Sequence, residues 1–185
     1  MEHDIVLDEH PKKRSRRGIK LFRGRDAVPL DESGAMDPMV FDAEEMQLLA
    51  QDGPRSPTIA LGISDTLVFQ GEGPDGCSLV RAWLAPHYVL PRHTHSGDCT
   101  YYLLEGSITM GSQELHAGDG FFVPSNAPYA YEAGPAGAVV LEFRSQTTFD
   151  IRFSSGQLER WRQMAVAAEE HGDRWIELRE QDLAR

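Results

Sequence analysis

Between Thr58 and Phe153 the apolar positions fall in short β-branched and aromatic runs: TIALGI, TLVFQG, CSLVRAWLA, YVLPRHTH, CTYYLLEG, SITMG, QELHAG, GFFVPS, YAYEAG, GAVVLEFRS and FDIRF. Gly, Pro, Asn and Asp separate them, and a turn signal recurs about every eight to twelve residues, the spacing of a sandwich or barrel. No long helical period interrupts the series, which argues against a parallel βαβ sheet. The pattern predicts an all-β body over residues 58–153.

The flanks read differently. Residues 1–57 lack sustained periodicity and carry the breakers VPLDESGAMDP and DGPRSP, so they are expected to be an irregular extension around one short helix, DAEEMQLLAQD. Asp42 can cap that helix, Glu44 and Glu45 suit its first turn, Met46, Leu49 and Ala50 share a face, and Gly53 with Pro54 stops it. Residues 154–185 return to helical spacing: Ser155 can cap, and Leu158, Trp161, Met164, Ala165 and Ala168 form a stripe. Gly172 is expected to end that helix, with Trp175, Ile176 and Leu178 as a second apolar patch. The tail should pack on the barrel or on a second subunit, with Trp161 and Trp175 as packing residues.

At 185 residues the chain fits one decorated domain. No apolar run approaches the roughly 18 to 20 residues of a membrane span, and the opening MEHDIVLDEH lacks an apolar signal segment, so a cytoplasmic protein is expected. Cys77 and Cys99 are the only cysteines, too few for a disulfide scaffold. A net charge of -11 argues against nucleic acid as the main partner. Yet Lys12, Lys13, Arg14, Arg16, Arg17, Lys20, Arg23 and Arg25 fall between residues 11 and 25 with no acid among them. This basic arm reads as a solvated leader folding back on an acidic body; contact with nucleic acid or an anionic surface is the other use such an arm has.

The candidate chemistry lies in LPRHTHSGDCTYYLLEG. Residues two apart in a strand face the same side, so His93 and His95 present both imidazoles together, a natural half of a transition-metal site. Pro91 and Arg92 suggest a strand end or bulge.

The segments that follow, HTHSGDCTYYLLEG and HAGDGFFVPSNAPYAYEAG, resemble the two motifs of the cupin superfamily over roughly residues 60 to 150. His93, His95 and Gly106 match the first motif; Gly118, Asp119 and Pro124 match the second. The resemblance implies a cupin-type jelly-roll barrel, commonly dimeric, often holding a divalent metal (iron first, then zinc, manganese or nickel) and acting on small organic substrates, as the cupin dioxygenases do. The departures are equally specific. Cys99 stands in the position of the motif glutamate, Tyr129 in that of the third histidine, Asn126 in that of a motif glycine, and His87 where the first motif begins with glycine.

Four readings of the altered site follow. A metal on His93 and His95 could be completed by Cys99 thiolate or Tyr129 phenolate, each deprotonated by the metal, since the free groups titrate near ~8.5 and ~10. A third ligand could come from elsewhere, Glu142 above all, because it alternates against Val139, Leu141 and Phe143. The barrel could be a metal-free pocket lined by Trp83, Tyr101, Phe121, Tyr129 and Tyr131, binding or sensing a metabolite without turnover. Or the histidines merely cap a strand and contact water.

Overall fold

The computed structural model describes residues 18–53, 57–73 and 75–184. Lys12, Lys13, Arg14, Arg16 and Arg17 of the basic arm lie outside the described residues. In chain order the elements are β1 (Val28–Pro29), β2 (Val40–Phe41), α1 (Ala43–Asp52), β3 (Ile63–Gln70), β4 (Ser78–Leu84), β5 (Val89–Thr94), β6 (Cys99–Met110), β7 (Gln113–His116), β8 (Gly120–Val123), β9 (Tyr129–Arg144), β10 (Arg152–Phe153) and α2 (Leu158–Leu183).

The strands join in one curled sheet in the order β1-β3-β4-β9-β5-β10-β2, while β6 pairs with β9 and carries β7 and β8. Period-two alternation sets its inner face. On β6, Cys99, Tyr101 and Leu103 are buried while Thr100, Tyr102 and Leu104 are exposed. On β4 the continuous register with β9 puts Val80 opposite Glu142 and Ala82 opposite Val140. Directly opposed residues share a face, so Val80, Ala82, Val140, Glu142 and Arg144 face inward with Tyr101, which itself opposes Glu142.

Several runs fold otherwise than their spacing predicts. TIALGI is not a strand: Pro57–Gly62 is a 3-10 turn lying under α2, where Arg179 Nη1 donates to the carbonyls of Ala60 and Ile63. The runs CTYYLLEG and SITMG are one strand, β6, and YAYEAG and GAVVLEFRS are one strand, β9. Gly106 permits this continuity in β6, because its backbone has φ +73° and a Cβ there would come 1.9 Å from the carbonyl oxygen of Gly137. Of FDIRF only Arg152–Phe153 is strand. Two strands, β1 and β2, form within the N-terminal stretch read as irregular, because each finds a sheet edge to pair with.

Asp42 caps α1 as predicted, its Oδ1 accepting from Glu45 N at 2.8 Å. The buried residue on this helix is Glu45, however, while Met46 is 53% exposed. Glu45 turns inward to accept from Trp161 Nε1 at 2.8 Å, which ties α1 to α2. Ser155 does not cap α2: Gln157 occupies the N-cap without a side-chain bond to the helix. Its amide instead donates to the carbonyls of Arg92 and Ser154 and accepts from Arg92 N, fastening α2 to β5 beside His93. Nor does Gly172 end α2. It is buried within the helix, where a Cβ would approach Thr58 Cγ2 to 2.7 Å, so it serves close packing. Trp175 is fully buried, Nε1 donating to Pro86 O at 2.9 Å, and an Arg81–Asp182 ion pair at 2.5 Å fixes the end of α2 to the outer face of β4.

Candidate functional site

β5 delivers His93 inward, and His95 follows just beyond its end at Thr94. His93 is opposed by Tyr129 on β9, with a register shift between Leu90 and His93 that re-aims the strand end. Both imidazoles are buried, with ring centroids 5.0 Å apart and nearly perpendicular. His93 Nδ1 lies 2.8 Å from Pro91 O, and His95 Nδ1 is hydrogen-bonded to Asp150 O. A carbonyl only accepts, so each Nδ1 carries the proton and each Nε2 keeps its lone pair. Burial pushes the His93 imidazole down to about 3; burial, then the nearby Arg144 charge, pushes His95 down to about 4. Both rings are therefore neutral at physiological pH.

Tyr129 fills the space in front of them. Its ring packs on His93 at a centroid distance of 4.3 Å, and its hydroxyl donates to His95 Nε2 at 3.0 Å. The same oxygen is hydrogen-bonded to Tyr101 Oη, so Tyr101, Tyr129 and His95 form one run of hydrogen bonds. Phe121 stacks on Tyr101 at 4.5 Å and lies edge-on to Tyr131 at 6.2 Å. Burial, followed by the Glu142 charge, holds the phenols of Tyr101, Tyr129 and Tyr131 well above the ordinary tyrosine range, and pushes the Cys99 thiol up to about 12.

The structure thus brings together His93, His95, Tyr101, Phe121, Tyr129 and Tyr131. Cys99 is on the same inner face, opposite Arg144. Glu142 also faces inward, as its alternation suggested, but its carboxylate is paired with the Arg144 guanidinium. Trp83 is not among them. It shares the outer face of β4 with Arg81, two residues away, and is buried there. Sequence reasoning missed Arg144 and Asp65, both turned to this interior; Arg144 follows Glu142 by two, so the same alternation could have found it. The two positions that depart from the motif glycines keep the glycine backbone, with φ +59° at His87 and +60° at Asn126.

A divalent metal of the kind cupins hold fits this donor set only in half. Two Nε2 lone pairs are oriented by carbonyls, the outer-shell arrangement metal histidines use. The remaining donors are a hydrogen-bonded neutral phenol, a neutral thiol and a carboxylate committed to Arg144. Among the described residues no group of three or more His, Cys, Asp or Glu is placed to hold an ion.

No protein-family model matches the chain, and neither does any curated protein sequence. Solved structures similar to it include the polyketide cyclase RemF from Streptomyces resistomycificus (16% identity, 80% of this chain and 99% of that one, TM-score 0.49). An RmlC-like cupin from Ralstonia eutropha is 13% identical over 70% of this chain and 69% of that one, TM-score 0.48. KdgF from Halomonas sp. is 23% identical over 46% of this chain and 82% of that one, TM-score 0.39. Among the described residues no helix is long and apolar enough to cross a membrane. Both glycine-bounded motifs lie in order on the strands they predict, and a curled, mostly antiparallel sheet closes over the histidine pair, the jelly-roll architecture that the cupin resemblance implies.

Proposed function

We propose that this chain is a cupin that binds a small organic molecule in its aromatic interior and acts on it by proton transfer, without a resident metal. One observation carries the reading: the hydrogen-bonded run from Tyr101 through Tyr129 to His95 Nε2. His95, neutral and with Nδ1 tied to Asp150 O, is a base; Tyr129 relays its proton; Tyr101 ends the run as a donor. His93 orients Tyr129 through ring contact. Tyr131 and Phe121 supply apolar wall. The test is ligand-dependent thermal stabilisation of chelator-treated protein across a panel of small metabolites. A ligand that stabilises the wild type and binds Tyr129→Phe about tenfold more weakly supports the reading. Equal affinity for both contradicts it.

A second reading, a metal-dependent oxygenase with iron, zinc, manganese or nickel on His93 and His95, is favoured by the carbonyl anchoring of both Nδ1 atoms. It requires Tyr129 or Cys99 to lose a proton that burial holds in place, or a further donor from the substrate. The two unpaired thiols, Cys77 and Cys99, suit a reducing, cytoplasmic setting.

The reading includes a homodimer. Tyr102, Leu104, Phe122 and Phe143 project, exposed, from the outer face of adjoining strands β6, β8 and β9, with Thr100 between Phe122 and Phe143. None of these five is charged, so two copies of a chain of net charge -11 can meet there without opposing like charges. Sedimentation of Phe122→Glu as monomer, with the wild type as dimer, is the expected outcome; identical sedimentation of both contradicts it.

A further inference from the structure

Two buried side-chain polar atoms have no partner among the described residues: Asp65 Oδ1 and Arg144 Nε. One accepts and the other donates, and the two do not reach each other. Buried polar atoms are satisfied in nearly every native protein, so such a complementary pair marks a place where something else supplies the bonds. The register places both atoms. Asp65 opposes Ala82, which opposes Val140, while Arg144 opposes Cys99 and its neighbour Glu142 opposes Tyr101. Both orphan atoms therefore belong to the inner face that carries Tyr101 and Cys99. Arg144 is held rigidly: Nη2 donates to Glu142, and the guanidinium lies 4.1 Å above the Phe149 ring.

Charge narrows what would fit. Glu142 cancels Arg144. Burial, then Glu142, pushes the Asp65 carboxyl up to about 7, so near neutral pH it is half protonated. An anion would meet two carboxyls, and a cation would meet Arg144.

We infer that Asp65 and Arg144 form the polar end of the ligand site and select a small uncharged molecule bearing a hydroxyl beside a carbonyl or second hydroxyl. The hydroxyl donates to Asp65 Oδ1, the adjacent oxygen accepts from Arg144 Nε, and the apolar remainder lies against Tyr101. This rests on the reading that the interior holds an organic ligand.

Hydroxyacetone, lactate and acetone separate the requirements, being close in size but respectively complete, anionic and lacking the hydroxyl. Calorimetric titration of the full chain is expected to give saturable binding of hydroxyacetone about tenfold tighter than either analogue, and a loss of about tenfold in Asp65→Ala. Arg144→Lys should lose as much, but it disturbs Glu142; Asp65→Ala removes a carboxyl oxygen that has no partner and keeps the test readable if Arg144→Lys does not fold. No saturable binding of hydroxyacetone, equal binding of all three, or unchanged affinity in Asp65→Ala would overturn the inference. Tyr129→Phe keeps this distinct from the proton-transfer reading. Affinity retained there but lost in Asp65→Ala supports the inference whatever the phenol does; the reverse pattern overturns it and leaves that reading standing.

Discussion

Tyr129 Oη stands 3.0 Å from His95 Nε2, in the chain position where the cupin pattern has its third histidine. A phenol there converts a metal-binding lone pair into an accepted hydrogen bond, and Tyr101 extends the bond into the interior. The phenol in that position thus links His95 to Tyr101, the run of hydrogen bonds on which the proposed proton transfer rests.

That path also contributes to stability. Tyr129→Phe leaves His95 Nε2 without a buried partner and takes from Tyr101 Oη its bond to Tyr129, and a loss of about 1 to 3 kcal/mol is expected in urea denaturation. Tyr101→Phe removes only the terminal hydroxyl and should cost less.

Stability should fall in mild acid. His93 and His95 hold folded values of about 3 and about 4 against 6.5 in the unfolded chain, so between pH 6.5 and 4 unfolding takes up two protons. Asp65 runs the other way: raised to about 7 from 3.8, it keeps a proton in the native state that the unfolded chain has lost. Its contribution is present below pH 3.8 and lost as pH rises through about 7. Two protons against one leave a net uptake of one on unfolding, a slope of ~1.4 kcal/mol per pH unit, with stability lower toward acid. Asp65→Asn removes the opposing group and should about double that slope, measured by denaturation at a series of pH values.

The β-rich body, the helix capped by Asp42 and the inward pair of histidines were legible because each depends on local period or on a cap. Trp83 was not, because β4 is buried on both faces and its composition carries no sign of which side meets α2. Glu45 reads as a first-turn acid and no more, since nothing local distinguishes it from Glu44; the partner that draws it inward, Trp161, lies 116 residues away. Asp65 and Arg144 come to share a face only through pairing across β3, β4 and β9, and no short window contains that register. Gly172 carries the same lesson, since glycine as helix terminator and glycine as contact point look alike until Thr58 is placed against it.

Gly106→Ala tests the strand continuity that holds the site. A left-handed φ of +73° and a methyl 1.9 Å from the Gly137 oxygen both oppose it. A loss of about 2 kcal/mol or more is expected, read as a drop in the denaturation midpoint.

On the proposed reading this interior handles protons without a resident metal. Elemental analysis of untagged protein, dialysed in turn against iron, zinc, manganese and nickel, tests it most directly when wild type is run beside Tyr129→His. The wild type is expected to hold far less than one metal per chain and Tyr129→His to gain metal, because a third imidazole replaces the phenol. Stoichiometric metal in the wild type, lost in His93→Ala, would contradict it.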